Sequence, residues 1–272
     1  MTTVPHADLF PRRIVCLTEE TTETLYLLGE EQRIVGISGY TVRPPRARQE
    51  KPRVSAYLTA KIDKILDLEP DLVLGFSDLQ ADIASQLIRA GVSVHVFNQR
   101  SVAEILQMIA MVGAMVGAQD KTAALLAELQ AGLDEVAAIG RTLPRRPRVY
   151  FEEWMDPIIT GIGWVSELSV LAGGEECFPE LAGQSLGKNR IVADPLEVVR
   201  RAPDVVLGSW CGRKFRPEQV MARPGWEAVP AVVNGQVFEI KSSEILQPGP
   251  ACLTDGVRQI QKRLLGWAAL HA

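Results

Sequence analysis

One pattern occurs twice in this chain and limits what it can fold into. The run Ile65-Leu66-Asp67-Leu68-Glu69-Pro70-Asp71-Leu72-Val73-Leu74-Gly75-Phe76 is matched by Val198-Val199-Arg200-Arg201-Ala202-Pro203-Asp204-Val205-Val206-Leu207-Gly208-Ser209-Trp210. In each copy a helix end meets a Pro-Asp turn, the residue before proline leaves helical space, and a short apolar run continues to a glycine. Such a run reads as a strand buried on both faces of a parallel sheet. Upstream, a strand at 13–17 and a helix at 22–28 are matched in the same order by 148–152 and 165–172, with Gly29 and Gly173 as helix stops. A unit repeated in order predicts two lobes of one architecture.

Between the copies, residues 119–140 read as one helix. Leu125, Leu129, Leu133 and Val136 form an apolar stripe at helical period, and Pro144 and Pro147 end it. At 1.5 Å per residue such a helix is about 30 Å long, enough to join two small domains. The expected fold is therefore α/β: two Rossmann-like lobes with parallel sheets joined by one long interlobe helix, divided as 1–118, 119–141 and 142–272. With 272 residues, 47% of them hydrophobic, each lobe has material for its own core.

Several function classes are excluded by what the chain carries. A formal net charge of −4, from 29 basic and 33 acidic residues, gives no basic excess for nucleic acid. Cys16, Cys177, Cys211 and Cys252 are widely spaced without a C-x-x-C pair, so free thiols are expected rather than a disulfide framework. His6, His95 and His271 are too scattered to build a metal site, and no metal or cofactor is expected. No apolar run reaches a membrane-spanning length. Residues 1–13 contain no apolar signal core, so a cytoplasmic chain is expected, or a periplasmic one if a signal has been removed.

Catalytic motifs are also missing: there is no nucleophile elbow, Walker loop or dinucleotide fingerprint. Glu152, Glu153 and Asp156 could pair for acid/base work, which leaves a hydrolase or lyase using Glu153 and Asp156 as a rival. Adjacent strand residues point to opposite faces, however, which separates Glu152 from Glu153. All five tryptophans fall in the second half, and Trp154, Trp164 and Trp210 are expected on loops at strand carboxyl ends, where large rigid side chains serve as ligand platforms. Phe76 holds the position in the first copy next to that of Trp210. If the halves face each other, both flank one cleft. Tyr40 and Arg43 should protrude from the loop before Pro44-Pro45, and Met108, Met111 and Met115 should pack in the core.

The two Pro-Asp strands, the Ala172-Gly173-Gly174-Glu175 segment and the single long helix resemble the substrate-binding proteins of iron-siderophore and cobalamin ABC importers, and their corrinoid-binding branch most of all. Gly39-Tyr40 with Pro44-Pro45, Val54-Ser55-Ala56-Tyr57 and the run from Ser242 to Pro250 carry that second likeness. The resemblance implies a monomeric, non-enzymatic binder of a corrinoid held between two lobes, working with an ABC permease, with no nucleic-acid partner and no membrane insertion. Ligand contacts implied or suggested are Tyr40, Arg43, Tyr57, Phe76, Trp154, Trp164, Lys188, Trp210, Arg213 and Glu244. A ferric-siderophore or haem ligand is the alternative, and Arg43, Arg100, Arg213 and Lys214 would suit its anionic groups. Relatives dock on the transporter through one surface acid per lobe, which implies Asp63 and, one place off register beside Leu196, Glu197. A cytoplasmic protein that stores or senses corrinoids is the further alternative.

Overall fold

The structure, a computed structural model, describes residues 9–271. His6 therefore lies outside the described residues. The chain divides into two compact units, one of Met1–Gln99 with Ala103–Glu128 and one of Arg100–Val102 with Leu129–Ala272.

In the first unit the strands are β1 (Ile14–Cys16), β2 (Ile34–Ser38), β3 (Arg53–Ser55), β4 (Leu72–Phe76) and β5 (Val94–Phe97). They form one sheet in the order β3-β2-β1-β4-β5, and every neighbouring pair is parallel. The helices are α1 (Glu19–Leu27), α2 (Ala47–Glu50), α3 (Ile62–Leu66), α4 (Ala81–Arg89) and α5 (Val102–Met115), followed by the start of α6 (Gln119–Gly140). All five residues of β4 are buried, as an apolar run inside a parallel sheet requires. The chain reverses its direction of travel across the sheet between β1 and β4, the switch point where open α/β sheets leave a crevice at the carboxyl ends.

The second unit holds β6 (Arg148–Met155), β7 (Ile158–Thr160), β8 (Glu175–Glu176), β9 (Val205–Gly208) and β10 (Val237–Glu239). Its helices are α7 (Gly163–Leu171), α8 (Pro179–Ala182), α9 (Leu196–Arg201), α10 (Pro217–Met221), α11 (Pro230–Val233), α12 (Ser242–Ile245) and α13 (Val257–Ala269). The order is β10-β9-β6-β7, with β8 also beside β6. This sheet is not purely parallel. β6 runs three residues past the predicted end at 152 and folds back through Asp156 and Pro157 into β7, its antiparallel partner. A two-residue hairpin of this kind needs no crossover, so the strand signal of β7 merged with the loop around it.

Helix α6 is continuous for 22 residues, and Leu129, Leu133 and Val136 are buried along one stripe with Leu125 half-buried. Gln261 Nε2 donates to the Val136 carbonyl at 2.9 Å, tying α13 to it. The two predicted glycine stops are both left-handed, Gly29 at φ 66° and Gly173 at φ 101°. That region is costly for any residue with a Cβ, which is why the repeat keeps glycine there.

Three local expectations need correction. Helix α1 begins at Glu19, ahead of the expected start at 22, with Thr18 as its N-cap, and the Thr21 and Thr22 hydroxyls donate back to the Thr18 carbonyl. Met108 is core, but Met111 is 43% exposed because α5 turns that face outward. Arg43 does not protrude: its Nε donates to Glu23 Oε1 at 2.9 Å, an ion pair that draws the side chain against α1.

Candidate functional site

Strand carboxyl ends carry the candidate residues in both units. In the first, Tyr40 follows β2, Tyr57 follows β3 and Phe76 ends β4, so the parallel sheet brings all three to one edge. Tyr40 is 60% exposed, Tyr57 is half-buried, and Phe76 is 4% exposed. The backbone here is fixed by Gln80, which accepts from the Phe76 N–H at 2.9 Å and donates to the Tyr57 carbonyl at 3.0 Å. Gly75 makes this possible, since a Cβ there would stand 2.8 Å from Gln80 Oε1.

Beside them, at the end of β1, lies a group of acids whose partners the sequence did not suggest. Glu19 and Glu20 are almost fully buried, and each keeps one carboxylate oxygen without a hydrogen bond. Burial pushes Glu19 up to about 8, opposed by the Val42 N–H on its other oxygen and reinforced by Glu23 and Glu20. Glu20 rises to about 7, again through burial, with the Thr18 hydroxyl acting against the shift. Both are therefore protonated over part of the neutral range.

In the second unit Trp154 is the last residue but one of β6, not a loop residue, and it is half-buried with its indole N–H donating to the Asp156 carbonyl at 2.9 Å. Trp164 sits in α7 at 2% exposure and gives its N–H to the Ile245 carbonyl, so it is a packing residue rather than a loop platform. The sequence misplaced it because Gly161-Ile162-Gly163 looks like a loop when it is a helix entry. Trp210 does follow β9 on a loop, but it too is 2% exposed, edge-on to Phe215 with ring centroids 4.9 Å apart. A loop position therefore did not imply an open face. Trp226, also on a loop, is wholly buried.

The carboxylate of Glu152 organises this edge. It is fully buried and accepts from Trp210 Nε1 at 2.9 Å, from both Arg223 terminal nitrogens at 2.5 and 2.8 Å, and from the Tyr150 hydroxyl at 3.0 Å. A bidentate guanidinium pair with two further donors satisfies the buried charge. Glu153, on the opposite face as strand geometry demands, is held by Arg190, whose own side chain is 1% exposed. Both glutamates thus have guanidinium partners, and neither is left as an unengaged acid or base facing solvent. Asp156 is exposed in the hairpin turn.

Gly208 completes the arrangement, because a Cβ there would overlap the Phe215 ring that folds back over the end of β9. The loop after it frames a cavity of about 310 Å³ lined by Met155, Trp210, Arg213, Lys214, Arg216 and Gln219. Of the other candidates, Lys188 is exposed in a short helical turn at Gly187–Asn189. Glu244 is half-buried in α12 and accepts from Gln259 at 2.6 Å. Asp63 is exposed in the first turn of α3. Glu197 is engaged by Arg200 at 2.7 Å and Arg201 at 2.8 Å, while its neighbour Leu196 is 46% exposed on the wall of a mainly apolar depression of about 600 Å³ beside Trp226.

Comparison with known proteins bears on this geometry. A cobalamin-binding protein of Halobacterium salinarum is 26% identical over 264 residues, covering 89% of this chain and 67% of that protein. An uncharacterized ABC transporter substrate-binding lipoprotein of Bacillus subtilis, YvrC, is 24% identical over 263 residues, covering 93% and 80%. In fold, the chain resembles the periplasmic vitamin B12 binding protein BtuF of Vibrio cholerae, with a TM-score of 0.75 at 23% identity over 94% of this chain and 98% of that one. The sequence model of the family described as periplasmic binding protein matches residues 14–244, and the chain belongs to that family.

Proposed function

We propose that the protein is the solute-binding component of an ABC-type importer and that its solute is a corrinoid. The observation that carries this reading is the relationship to proteins named for cobalamin over about nine-tenths of the chain. The site chemistry agrees with it. Tyr40, Tyr57 and Trp154 keep exposed or half-buried aromatic surface at strand carboxyl ends, and broad amide-fringed macrocycles suit aromatic surface with a polar rim. Phe76 in the first unit and Trp164 and Trp210 in the second are buried packing residues. Arg213, Lys188 and Glu244 supply polar contacts, and Arg43 orders the Tyr40 loop through Glu23.

A hydrolase or lyase role for Glu153 and Asp156 is disfavoured, because Arg190 occupies the Glu153 carboxylate. Titration calorimetry against cyanocobalamin, cobinamide, haem and a ferric siderophore tests the proposal. A corrinoid Kd in the micromolar range or tighter is expected, and binding of the ferric siderophore alone would overturn the corrinoid assignment.

One observation favours a second reading for the partner. Glu197 is already paired with two arginines of its own helix, which leaves Asp63 as the more available docking acid. Storage or sensing of corrinoids without a permease follows if docking fails, and the cell fraction holding the protein distinguishes the two: import requires the outer side of the cytoplasmic membrane.

A further inference from the structure

A buried ion pair anchors an exposed loop of the second unit. Arg190 is 1% exposed, and its Nη1 and Nη2 fork onto the Glu153 carboxylate at 2.6 and 3.2 Å, while Nη1 also donates to the Thr160 carbonyl. Yet Arg190 Nε and Thr160 Oγ1 are buried with no hydrogen-bond partner. Two orphaned polar atoms beside a desolvated charge pair are a costly way to fill this space, since apolar side chains of similar volume hold a fold as well or better. What the fork supplies is direction: a planar guanidinium that meets one carboxylate and one carbonyl fixes the backbone it hangs from.

That backbone ends the run 183–190, which follows α8. Gly183, Gln184, Ser185, Lys188 and Asn189 are exposed, Leu186 and Gly187 are half-buried, and Arg190 alone is buried. The run holds one short helical turn at Gly187–Asn189 and no strand. The Thr160 N–H donates to the Arg190 carbonyl at 3.1 Å and the Val192 N–H to the Ile158 carbonyl at 2.9 Å, so residues 190–192 lie along β7. Thr160 pairs with Glu152, and Glu152 pairs with Gly208, the last residue of β9. The loop therefore meets the sheet level with the carboxyl end of its parallel strands, the edge at which open α/β sheets take ligands. Four of its exposed side chains form hydrogen bonds, and little buried apolar contact holds it apart from the Arg190 anchor.

Resting on the solute-binding reading, we infer that Arg190 and Glu153 are positioning residues for solute binding: their fork holds the loop 183–189 as a polar wall of the site, which meets a hydrogen-bonding periphery of the solute such as carboxamide groups. Neither residue touches the solute. The pair acts by ordering the loop in advance, so that binding does not have to supply that entropy, and its loss lowers affinity through the loop rather than through a missing contact.

Readouts on the full chain separate this role from a purely structural one. Arg190→Lys keeps the charge but replaces the planar fork with a compact ammonium, and Glu153→Met/Arg190→Met removes both charges together. Thermal unfolding follows the fold, the rate of tryptic cleavage after the exposed Lys188 follows the order of the loop, and calorimetry follows affinity for whichever of cyanocobalamin, cobinamide, haem and a ferric siderophore the wild type binds. The double variant should unfold within a few degrees of the wild type, be cut after Lys188 about tenfold faster and bind that solute about tenfold more weakly. Arg190→Lys should show the same two losses, and the solute should slow the cut in the wild type. Where the double variant does not fold, Glu153→Gln, which leaves a neutral acceptor in place, is read in the same way. Cutting at the wild-type rate in the variants shows that the pair does not hold the loop, and faster cutting with unchanged affinity shows that the loop is no part of the site; either result overturns the inference and leaves the solute-binding reading intact. Binding of none of the four solutes by the wild type is the separate failure of that reading, and the cutting rates then decide alone whether the pair holds the loop.

Discussion

Trp210 donates its indole N–H to Glu152 at 2.9 Å, and this bond joins the loop after β9 to the centre of β6. Arg223 closes on the same carboxylate with both terminal nitrogens, and Tyr150 fills the remaining lone pair. The candidate site of the second unit therefore stands on a buried charge network, and its shape depends on that network staying complete.

Arg223→Met should destabilise the protein by about 3–5 kcal/mol, because it leaves the Glu152 charge buried without a counter-ion. Glu152→Gln in the same chain should recover part of the loss by removing that charge. Urea denaturation of the two single variants and the double variant measures this coupling, and additive effects would mean that the pair is not linked.

Gly208→Ala should cost about 1–3 kcal/mol, since the added methyl meets the Phe215 ring and the core side of the loop cannot give way without losing its packing. Gly75→Ala meets the Gln80 amide oxygen at 2.8 Å and Leu17 and Val96 at ordinary contact distance, a lesser overlap that should cost less. Guanidinium denaturation curves of both variants would show the order, and near-ultraviolet circular dichroism should change for Gly208→Ala through Trp210.

The acids at the end of β1 predict a pH dependence of stability with a definite sign. Glu19 titrates in the fold at about 8, above its ordinary 4.5, so the folded state holds a proton that the unfolded chain has released. Stability from this group is complete below pH 4.5 and is lost as pH rises toward 8. Glu20 adds to the same trend with its upper limit near 7. Glu19→Gln should therefore raise the unfolding temperature by several degrees at pH 8.5 and change it little at pH 5, and an equal shift at both values would refute the assignment.

Ligand affinity should separate the surface aromatics from the buried ones. Trp154→Ala and Tyr57→Ala should each weaken corrinoid binding by about 1–3 kcal/mol with a modest effect on stability. Trp210→Ala should lower both, because its indole is 2% exposed and bonded to Glu152. Calorimetry and thermal melts on the same preparations provide the comparison, and unchanged affinity in Trp154→Ala and Tyr57→Ala would remove both from the site.

On the transporter side, Asp63→Lys should abolish cobalamin uptake with ligand affinity intact. Glu197→Lys should have a smaller effect on uptake and also loosen α9 by breaking its pairs with Arg200 and Arg201. Uptake assays in cells carrying each variant measure both, and normal uptake with Asp63→Lys would end its docking role.

The sequence by itself determined the two-unit α/β plan. Buried strands such as Leu72–Phe76 and Val205–Gly208, the stripe on the long helix and the left-handed glycines at 29 and 173 are set by local periodicity and backbone sterics, which a linear reading captures. Only the tertiary structure decided which side chains are open. Glu152 finds Arg223 across 71 positions and Glu153 finds Arg190 across 37, pairings that no spacing encodes. The same long-range packing buried Trp164 and Trp210, because exposure and charge compensation depend on neighbours that the folded chain alone brings together.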